Sequence, residues 1–350
     1  MTSIPQPMHS VISKVDEWHE QHQSPPRPHM GLSAAGNEDD RGLWLGFRWV
    51  FQEQLTGRIL RLFRRGHLEE AVVVSDLQAI GCEVEYTSDA QLHIDFGSHV
   101  SGSCDGIIAS GLPEAPNTVH LLEIKTISKA RFEQLDKHGV EKTNPEYYMQ
   151  TQAYMFGLTQ LGLLGVDVER CFFIAVCKDD DRIYTERIKL DRDIARDAVA
   201  RLQRIALSER IPEPVHVDPT FYKAKWSPHY AVYFPKSATP DDMSKLVSQR
   251  SGDGIESKVG VNCRTCAHST PTESSEWLCA MYDNQAIPLS HQRRGCRAHV
   301  VHPDIMDLIG WRFVEGDAHN ATYQSPKGEV VKNGVDGMYS EDMLGGVKCS

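Results

Sequence analysis

Residues 118–127 read TVHLLEIKTI, an apolar strand pattern that two charged side chains interrupt. In a strand, side chains two positions apart point to the same face, so Glu123 and Lys125 project together. Leu122 and Ile124 would then enter the core. A carboxylate and an ammonium inside an apolar strand are costly to remove from water, so the pair needs a partner or a chemical role. The alternative is an ion pair on an exposed strand edge.

Other strand-like segments precede this one. They alternate apolar and polar residues and are separated by Gly, Asp, Pro and Asn, which is typical of strands in one sheet. They are CEVEYTS at 82–88, QLHIDFG at 91–97 and VSGSCDGIIAS at 100–110. Further upstream, apolar periodicity over 41–65 predicts one or two helices, and Gly66 separates these from another helix that ends at Gly81.

Helical and hairpin patterns follow the TVHLLEIKTI segment. A helix is predicted over 145–164, a hairpin with its turn at 179–181, and an amphipathic helix over 191–210. The order of helices, strands, helix, hairpin and helix predicts an α/β fold in which helices flank a central mixed β-sheet.

Composition divides the 350-residue chain into five parts. Residues 1–30 are rich in Pro, His, Gln and Ser and predict a flexible N-terminal segment. The remaining parts are a core over 31–210, a connecting region over 211–260, a cysteine-rich metal-binding module over 261–303 and a tail over 304–350 with a small hairpin.

The overall balance is that of a globular protein, with 40% apolar and 24% charged residues. The net charge of −11 argues against a surface that coats nucleic acid, so any such binding must be local. No stretch reaches the roughly 18 apolar residues of a membrane span, and the N-terminus lacks the apolar region of a secretory signal. We therefore expect a cytosolic protein without a membrane partner.

Carboxylates surround the charged strand in the sequence. Asp105, in the segment SCDGI, ends an apparent strand close to Glu123 and Lys125. Clustered carboxylates bind Mg²⁺ through hard oxygen ligands, and the metal lowers the pKa of a bound water. A nearby lysine can orient that water or offset charge in the transition state. The alternative for Asp105 is the start of a turn before Gly106.

Two flanking motifs extend this pattern, RRGHLEE at 64–70 and YYMQTQAYMFGL at 147–158. Over residues 31–210 the chain resembles the PD-(D/E)XK nuclease superfamily, in its RecB-like and phage lambda exonuclease-like branch. That branch has a helix with G-x-x-x-E, an Asp at a strand end, an E-x-K strand, and a Q-x-x-x-Y or Q-x-Q helix. The resemblance implies a restriction-endonuclease-like core. One departure is Cys104, which stands where a Pro usually precedes the Asp.

The resemblance also implies roles for single residues. Gly66 and Glu70 fit the first motif, and His67 stands where some members carry a His. Glu69 is the alternative to Glu70, since a slip of one residue rotates a helical side chain by about 100°. The implied Mg²⁺ or Mn²⁺ ligands are Glu70, Asp105, Glu123 and the backbone carbonyl of Ile124. Lys125 would activate or position the attacking water, and Gln150 or Gln152 would support Lys125 or a phosphate.

Candidate DNA contacts are mostly basic. Arg58, Arg61, Arg64 and Arg65 share one helical face and would hold phosphates beside the metal site, unless this face is simply solvated. Arg41 and, by the resemblance, Tyr154 are further candidates; Arg41 could equally face solvent after a helix cap. A second candidate basic group is formed by Arg293, Arg294 and Arg297. Lys223, Lys225 and Trp226 could bind single-stranded nucleic acid; the alternative is a loop whose Trp packs on the core.

Four cysteines form a separate cluster. Cys263 and Cys266 have knuckle spacing, and Cys279 and Cys296 follow. Four thiolates suit a tetrahedral Zn²⁺ site or a [4Fe–4S] cluster. Some RecB-like nucleases hold an iron–sulfur cluster with one Cys before the core and three after it; here all four follow it, which favours zinc. His268, His291 and His299 could replace one Cys as a ligand.

The combined prediction is a metal-dependent deoxyribonuclease that acts as an exonuclease on DNA ends. By the resemblance, it would serve phage-type recombination or DNA processing beside a single-strand annealing protein, as a homo-oligomer, in the bacterial host cytosol if a phage encodes it. An endonuclease of the restriction or repair type is an alternative. Another is an inactive nucleic-acid- or partner-binding module.

Overall fold

The computed structural model describes residues 10–247, 249–250 and 256–345. The chain divides into two compact units. The first unit comprises 1–26, 55–95 and 102–199, and the second comprises 27–54, 96–101 and 200–350. The core predicted over 31–210 is therefore corrected, because three of its segments belong to the second unit. The indole of Trp44, for example, donates a hydrogen bond of 2.9 Å to the Ser208 carbonyl within that unit.

The α-helices are numbered along the chain. They are α1 Val11–Gln21, α2 Asp40–Phe47, α3 Gly57–Ala79, α4 Lys129–Thr143, α5 Pro145–Gln160, α6 Arg192–Leu207, α7 Tyr222–Trp226, α8 Tyr230–Tyr233, α9 Pro240–Ser244, α10 Leu289–Gln292, α11 Pro303–Leu308 and α12 Ser340–Gly345. Across the described residues, no helix is both long and apolar enough to cross a bilayer.

The strands are numbered in the same way. They are β1 Met30–Gly31, β2 Gln52–Glu53, β3 Glu83–Glu85, β4 His93–Asp95, β5 Val100–Ser103, β6 Gly106–Ser110, β7 His120–Ile127, β8 Arg170–Cys177, β9 Ile183–Lys189, β10 Leu246–Val247, β11 Gln249–Arg250, β12 Glu256–Ser257, β13 Ser269–Pro271, β14 Trp277–Cys279, β15 Gln285–Ala286, β16 Arg312–Gly316, β17 Asn320–Gln324 and β18 Val330–Gly334.

The central sheet of the first unit has the strand order β3-β6-β7-β8-β9. The β7–β8 pair is parallel, and the other neighbouring pairs are antiparallel. Leu122 of β7 pairs with Gly106 on one side and with Phe172 on the other. The predicted mixed sheet is thus confirmed, as is the antiparallel β8–β9 hairpin. Since β7 is an inner strand, its charged residues do not lie on a sheet edge.

Helix α3 covers one face of this sheet. Its residues Val73, Val74 and Leu77 form one buried cluster with apolar residues of β7 and β8, among them Leu122 and Ile124. The predicted helix break at Gly66 is wrong, because α3 continues through it. A Cβ at residue 66 would lie 3.9 Å from the Thr126 hydroxyl, so this position faces β7 without a clash.

The N-terminal segment is partly helical, which corrects the flexible segment predicted over 1–30. Ser10 caps α1 by accepting the Ser13 N–H at 3.2 Å, and α1 packs on the start of α3. A Cβ at Gly57 would lie 2.4 Å from the Asp16 Cα, so only glycine permits this approach. Glu20 accepts the Gly57 N–H at 2.8 Å. Residues 1–9 lie outside the described residues.

Two predicted strands are shorter than expected. The 91–97 segment gives only β4, which is not part of the central sheet, and the 100–110 segment divides into β5 and β6 around Cys104 and Asp105. Helix α4 was not predicted, because its sequence is strongly polar. It bends at Gly139, which has a φ of +76°, and Glu186 accepts the following Val140 N–H at 2.8 Å.

The second unit contains two antiparallel three-stranded sheets, β13-β14-β15 and β16-β17-β18. The small hairpin expected in the tail over 304–350 corresponds to β17 and β18. The connecting region expected over 211–260 holds α7, α8, α9 and short strands, while residues 248 and 251–255 lie outside the described residues. The unit packs around two buried guanidinium groups, those of Arg48 and Arg264.

Candidate active site

Asp105 lies in the bend between β5 and β6, and its Oδ2 accepts the Ile124 N–H at 2.8 Å. The pairing of β6 with β7 ends at Gly106 and Leu122, so the Asp105 carboxylate takes the place of a strand partner for Ile124. In an extended strand, the N–H and C=O of one residue point to the same side. The Ile124 carbonyl therefore points to the same side of β7 as the Asp105 carboxylate.

Glu123 is completely buried at the centre of the sheet. Its Oε1 accepts hydrogen bonds from the Lys125 ammonium and, at 2.7 Å, from the Gln150 amide. Its Oε2 has no hydrogen-bond partner among the described residues. Burial raises the pKa of Glu123 to about 7, although Lys125 opposes this shift. The ion pair exists as foreseen, but the alternative of an exposed edge is wrong.

Lys125 is held by an aromatic residue as well as by a carboxylate. Its Nζ lies 5.3 Å from the ring centroid of Tyr147, which stacks on Phe173 at 6.4 Å. Burial alone would lower the pKa of Lys125, but Glu123 and then Asp105 raise it above its usual value. The sequence prediction missed Tyr147. Its position three residues before Gln150, on the same side of α5, was the available signal.

Glu70 projects from α3 with 29% of its side chain exposed, and its Oε1 lies 3.3 Å from His67 Nδ1. Burial and then the charge of Asp105 raise the pKa of Glu70, while His67 lowers it. Glu70 also contributes to the raised pKa of Glu123. The three carboxylates therefore lie within electrostatic range of one another. Glu70, and not Glu69, is the glutamate of α3 that interacts with Asp105 and Glu123.

The donor chemistry at this site suits a hard divalent cation. Carboxylate oxygens are the ligands that Mg²⁺ and Mn²⁺ prefer, and Glu123 Oε2 is a buried acceptor with a raised pKa that lacks a protein donor. Within the described part of the chain, no three Cys, His, Asp or Glu side chains converge closely enough to hold an ion.

The glutamine motif of α5 divides into two separate roles. Gln150 contacts Glu123, whereas both ends of the Gln152 amide are bonded to backbone. Gln152 donates to the Lys189 carbonyl at 2.9 Å and accepts the Asp191 N–H at 2.7 Å. The predicted catalytic role of Gln152 is therefore replaced by a structural one. Tyr154 is only 4% exposed, so it does not present a surface to DNA.

The arginine strip does not flank the carboxylates, which corrects the predicted placement. Arg61, at its centre, and Glu70 are nine residues apart on α3, which corresponds to about 180° around the helix. Arg61 pairs with Asp16 of α1, and Arg65 donates to the Lys178 carbonyl at 2.9 Å. Arg58 and Arg64 are exposed on this outer side. Arg58 and Arg64, which have no such partner among the described residues, thus lie on the side of α3 away from Glu70.

Arg41 belongs to the second unit and is committed to local contacts. Its Nε donates to the Pro212 carbonyl at 2.8 Å, and its guanidinium lies 5.9 Å from the Tyr233 ring centroid. The predicted phosphate contact is therefore not favoured. In the same unit, Lys223 pairs with Glu38 at 2.8 Å. Trp226 is 73% exposed, so the alternative in which it docks on the core is wrong.

The four cysteines lie near one another in the second unit. Cys263, Cys279 and Cys296 line a cavity of about 540 Å³ together with His291 and Arg294. Burial raises the pKa of Cys263 to about 11, and the neighbouring Cys296 and Cys279 add to the shift. Burial likewise raises the pKa of Cys266 to about 12. In the described residues these thiols do not converge to metal-binding distances.

The candidate histidine ligands differ in their surroundings. His299 is buried and contacts the Ser340 hydroxyl at 2.8 Å and the Asn262 carbonyl at 3.0 Å, so it serves the packing of the unit. His268 Nε2 is buried without a hydrogen-bond partner in the part of the chain described. Of the nearby basic residues, Arg297 donates to the Tyr339 hydroxyl at 2.9 Å.

No protein-family profile and no curated protein sequence matches the chain. Solved structures similar to it include LHK-Exo, an alkaline exonuclease from Laribacter hongkongensis, at 17% identity and a TM-score of 0.35, covering 54% of this chain and 90% of that chain. The same enzyme in complex with dAMP gives 17% identity, a TM-score of 0.37, and coverages of 54% and 89%. The structure of SSO0001 is similar at 16% identity and a TM-score of 0.35, covering 67% of this chain and 95% of that chain.

Proposed function

We propose that the chain is a metal-dependent deoxyribonuclease that hydrolyses DNA phosphodiester bonds. The observation that carries the proposal is the buried Glu123, which has one oxygen held by Lys125 and Gln150 and the other without a protein donor. A buried carboxylate left in this state is costly unless a cation or a proton joins it. Asp105 and Glu70 add negative charge in the same place.

The residues of the site would have three different roles: holding the metal, contacting water or phosphate, and positioning the side chains that do so. Glu70, Asp105, Glu123 and the Ile124 carbonyl would hold Mg²⁺ or Mn²⁺, which supplies an activated water and neutralises phosphate charge when bound. Lys125 stays protonated at neutral pH because the carboxylates raise its pKa. It is therefore suited to donate to a phosphate oxygen or to orient water, and not to act as a general base. Gln150 and Tyr147 position Glu123 and Lys125.

The test compares linear and covalently closed duplex DNA in the presence of Mg²⁺. Asp105→Asn is the informative variant, since asparagine keeps an oxygen for the Ile124 N–H while it loses the charge. We expect the wild-type protein to degrade DNA and the variant to be inactive at an unchanged melting temperature. An active variant, or a folded and metal-loaded wild type without activity on duplex or single-stranded DNA, would overturn the proposal.

We propose exonuclease action on DNA ends, with the endonuclease as the alternative. Shortening of linear DNA while circles survive supports the first; cleavage of circles supports the second. A role in phage-type recombination, an annealing protein as partner and a homo-oligomeric state belong to the same proposal. Mixing with a single-strand annealing protein and measuring the molar mass by light scattering tests the last two.

We further propose that Cys263, Cys266, Cys279 and Cys296 hold Zn²⁺, with a [4Fe–4S] cluster as the alternative. Support comes from the donor set and from the mutual effects of these thiols on their pKa values. Elemental analysis of the purified protein distinguishes the two metals, and Cys266→Ser should release the metal. A wild type with neither zinc nor iron would contradict this proposal.

A further inference from the structure

Helices α1 and α3 of the first unit enclose a groove of about 370 Å³. It is lined by Val11, Lys14, Val15, Trp18, His19 and Arg64. Trp18 is 55% exposed although it is a large aromatic residue. Its indole stacks on the His22 ring, with centroids 4.4 Å apart and planes 25° apart, and meets the His19 ring edge-on at 5.0 Å. The indole is thus held in place while most of it stays accessible.

The charges around the groove favour an anion. Arg64 and Lys14 line it, and among the described residues neither has a carboxylate within ion-pairing distance. The carboxylate of Asp16 on α1 is already paired with Arg61. Glu17 is three residues from Lys14 and therefore lies beside it on α1, but no ion pair joins the two side chains among the described residues. The groove therefore combines a stacking surface with two cations that form no ion pair among the described residues.

We propose that this groove binds single-stranded DNA, with one base stacked on Trp18 and the adjoining phosphates contacting Lys14 and Arg64. Exposed aromatic rings beside cationic side chains are how proteins bind single strands without sequence preference. A base can stack on Trp18 only when it is unpaired, so a duplex would not use this surface.

The inference rests on the proposed function, since it assigns a second contact to the same DNA. Arg64 and Glu70 are six residues apart on α3, about 9 Å along its axis, on different sides of the helix. A strand that leaves the carboxylate site could therefore continue around α3 to Trp18. The groove would hold the strand that duplex opening releases.

The test measures the anisotropy of a fluorescein-labelled oligothymidylate with the full chain in buffer without Mg²⁺ or Mn²⁺, so that the oligonucleotide is not cleaved. Trp18→Ala should weaken binding about ten-fold or more, and Trp18→Phe should weaken it less because a phenyl ring still stacks. Arg64→Ala should reduce the salt dependence of log K by about 0.7. The matched control is Arg196→Ala on α6, an exposed arginine paired with Asp193.

Equal affinities of the wild type and Trp18→Ala would overturn the proposal. So would a loss confined to Trp226→Ala, which would place the single strand on the second unit. Failure of the two proposals can be told apart. A wild type that binds through Trp18 but never cleaves DNA refutes the nuclease alone, whereas Trp18→Ala with unchanged binding and normal cleavage refutes the groove alone.

Discussion

The Gln150 amide nitrogen lies 2.7 Å from Glu123 Oε1, so a helix and a strand jointly fix one oxygen of a completely buried carboxylate. Lys125 of the same strand donates to that oxygen too. The second oxygen has no donor among the described residues. This asymmetry separates the oxygen that the protein uses for positioning from the oxygen that remains for a ligand.

Replacing Glu123 by Gln should abolish cleavage without unfolding the protein. The amide oxygen can still accept from Lys125 and Gln150, but the charge that binds a cation is lost. We expect at least a roughly 100-fold fall in the rate of DNA hydrolysis, judged from metal sites in general. The unfolding free energy in urea should fall, because the buried Lys125 ammonium loses the charge of its carboxylate partner and keeps only the more distant charge of Asp105. An active variant would contradict the assignment.

The pH dependence of stability should carry the signature of Glu123. Burial raises its pKa from 4.5 to about 7. The folded state therefore keeps a proton that the unfolded state has lost, so this group's stabilisation is complete below pH 4.5 and disappears as pH rises through about 7. The melting temperature of the metal-free wild type, relative to Glu123→Gln, should fall across this window. A flat difference would show an ordinary pKa.

Gln150→Ala and Gln152→Ala form a matched pair with opposite outcomes. Gln150→Ala removes a donor from Glu123 and should lower activity about 10- to 100-fold with little change in stability. Gln152→Ala leaves the Lys189 carbonyl and the Asp191 N–H without partners and should cost about 1–3 kcal/mol of unfolding free energy. Activity assays and urea unfolding of both variants test this, and the reverse pattern would contradict the geometry.

Tyr147→Leu should impair catalysis more than Tyr147→Phe. The ring, and not the hydroxyl, faces the Lys125 ammonium, whose Nζ lies 5.3 Å from the centroid. A cation–π contact is typically worth about 0.5–2 kcal/mol, which predicts a several-fold fall in kcat for the leucine variant. Equal rates for both variants would remove Tyr147 from the site.

Arg264→Ala should destabilise the second unit strongly. The buried guanidinium donates to the Phe47 and Pro28 carbonyls and to Gln292 Oε1, and it lies 3.8 Å from the Trp49 ring centroid. Losing three donors should lower the unfolding free energy by about 3 kcal/mol or more. Arg264→Lys should recover only part of it, since an ammonium lacks the planar fork. A near-neutral alanine variant would contradict this account.

Local patterns were sufficient for the sheet and for the charged strand. Alternation in TVHLLEIKTI correctly placed Leu122 and Ile124 in the core, and the 170–190 segment correctly gave a hairpin. Local patterns were misleading at Gly66, because a glycine lowers helix propensity by only about 1 kcal/mol and the packing of α3 on the sheet outweighs that. They also missed α1, whose Ser10 cap and apolar spacing stand within a polar, proline-rich segment.

The residue types at the carboxylate site and their order along the chain follow from the sequence, because strand alternation and helical periodicity are local properties. The rotation of each helix about its axis is not local. Gln150 and Gln152 are about 200° apart on α5, so only one can face Glu123, and the docking of α5 on the sheet selects Gln150. In the same way, the packing of α3 turns Glu70 towards Asp105 and Arg61 towards Asp16 of α1.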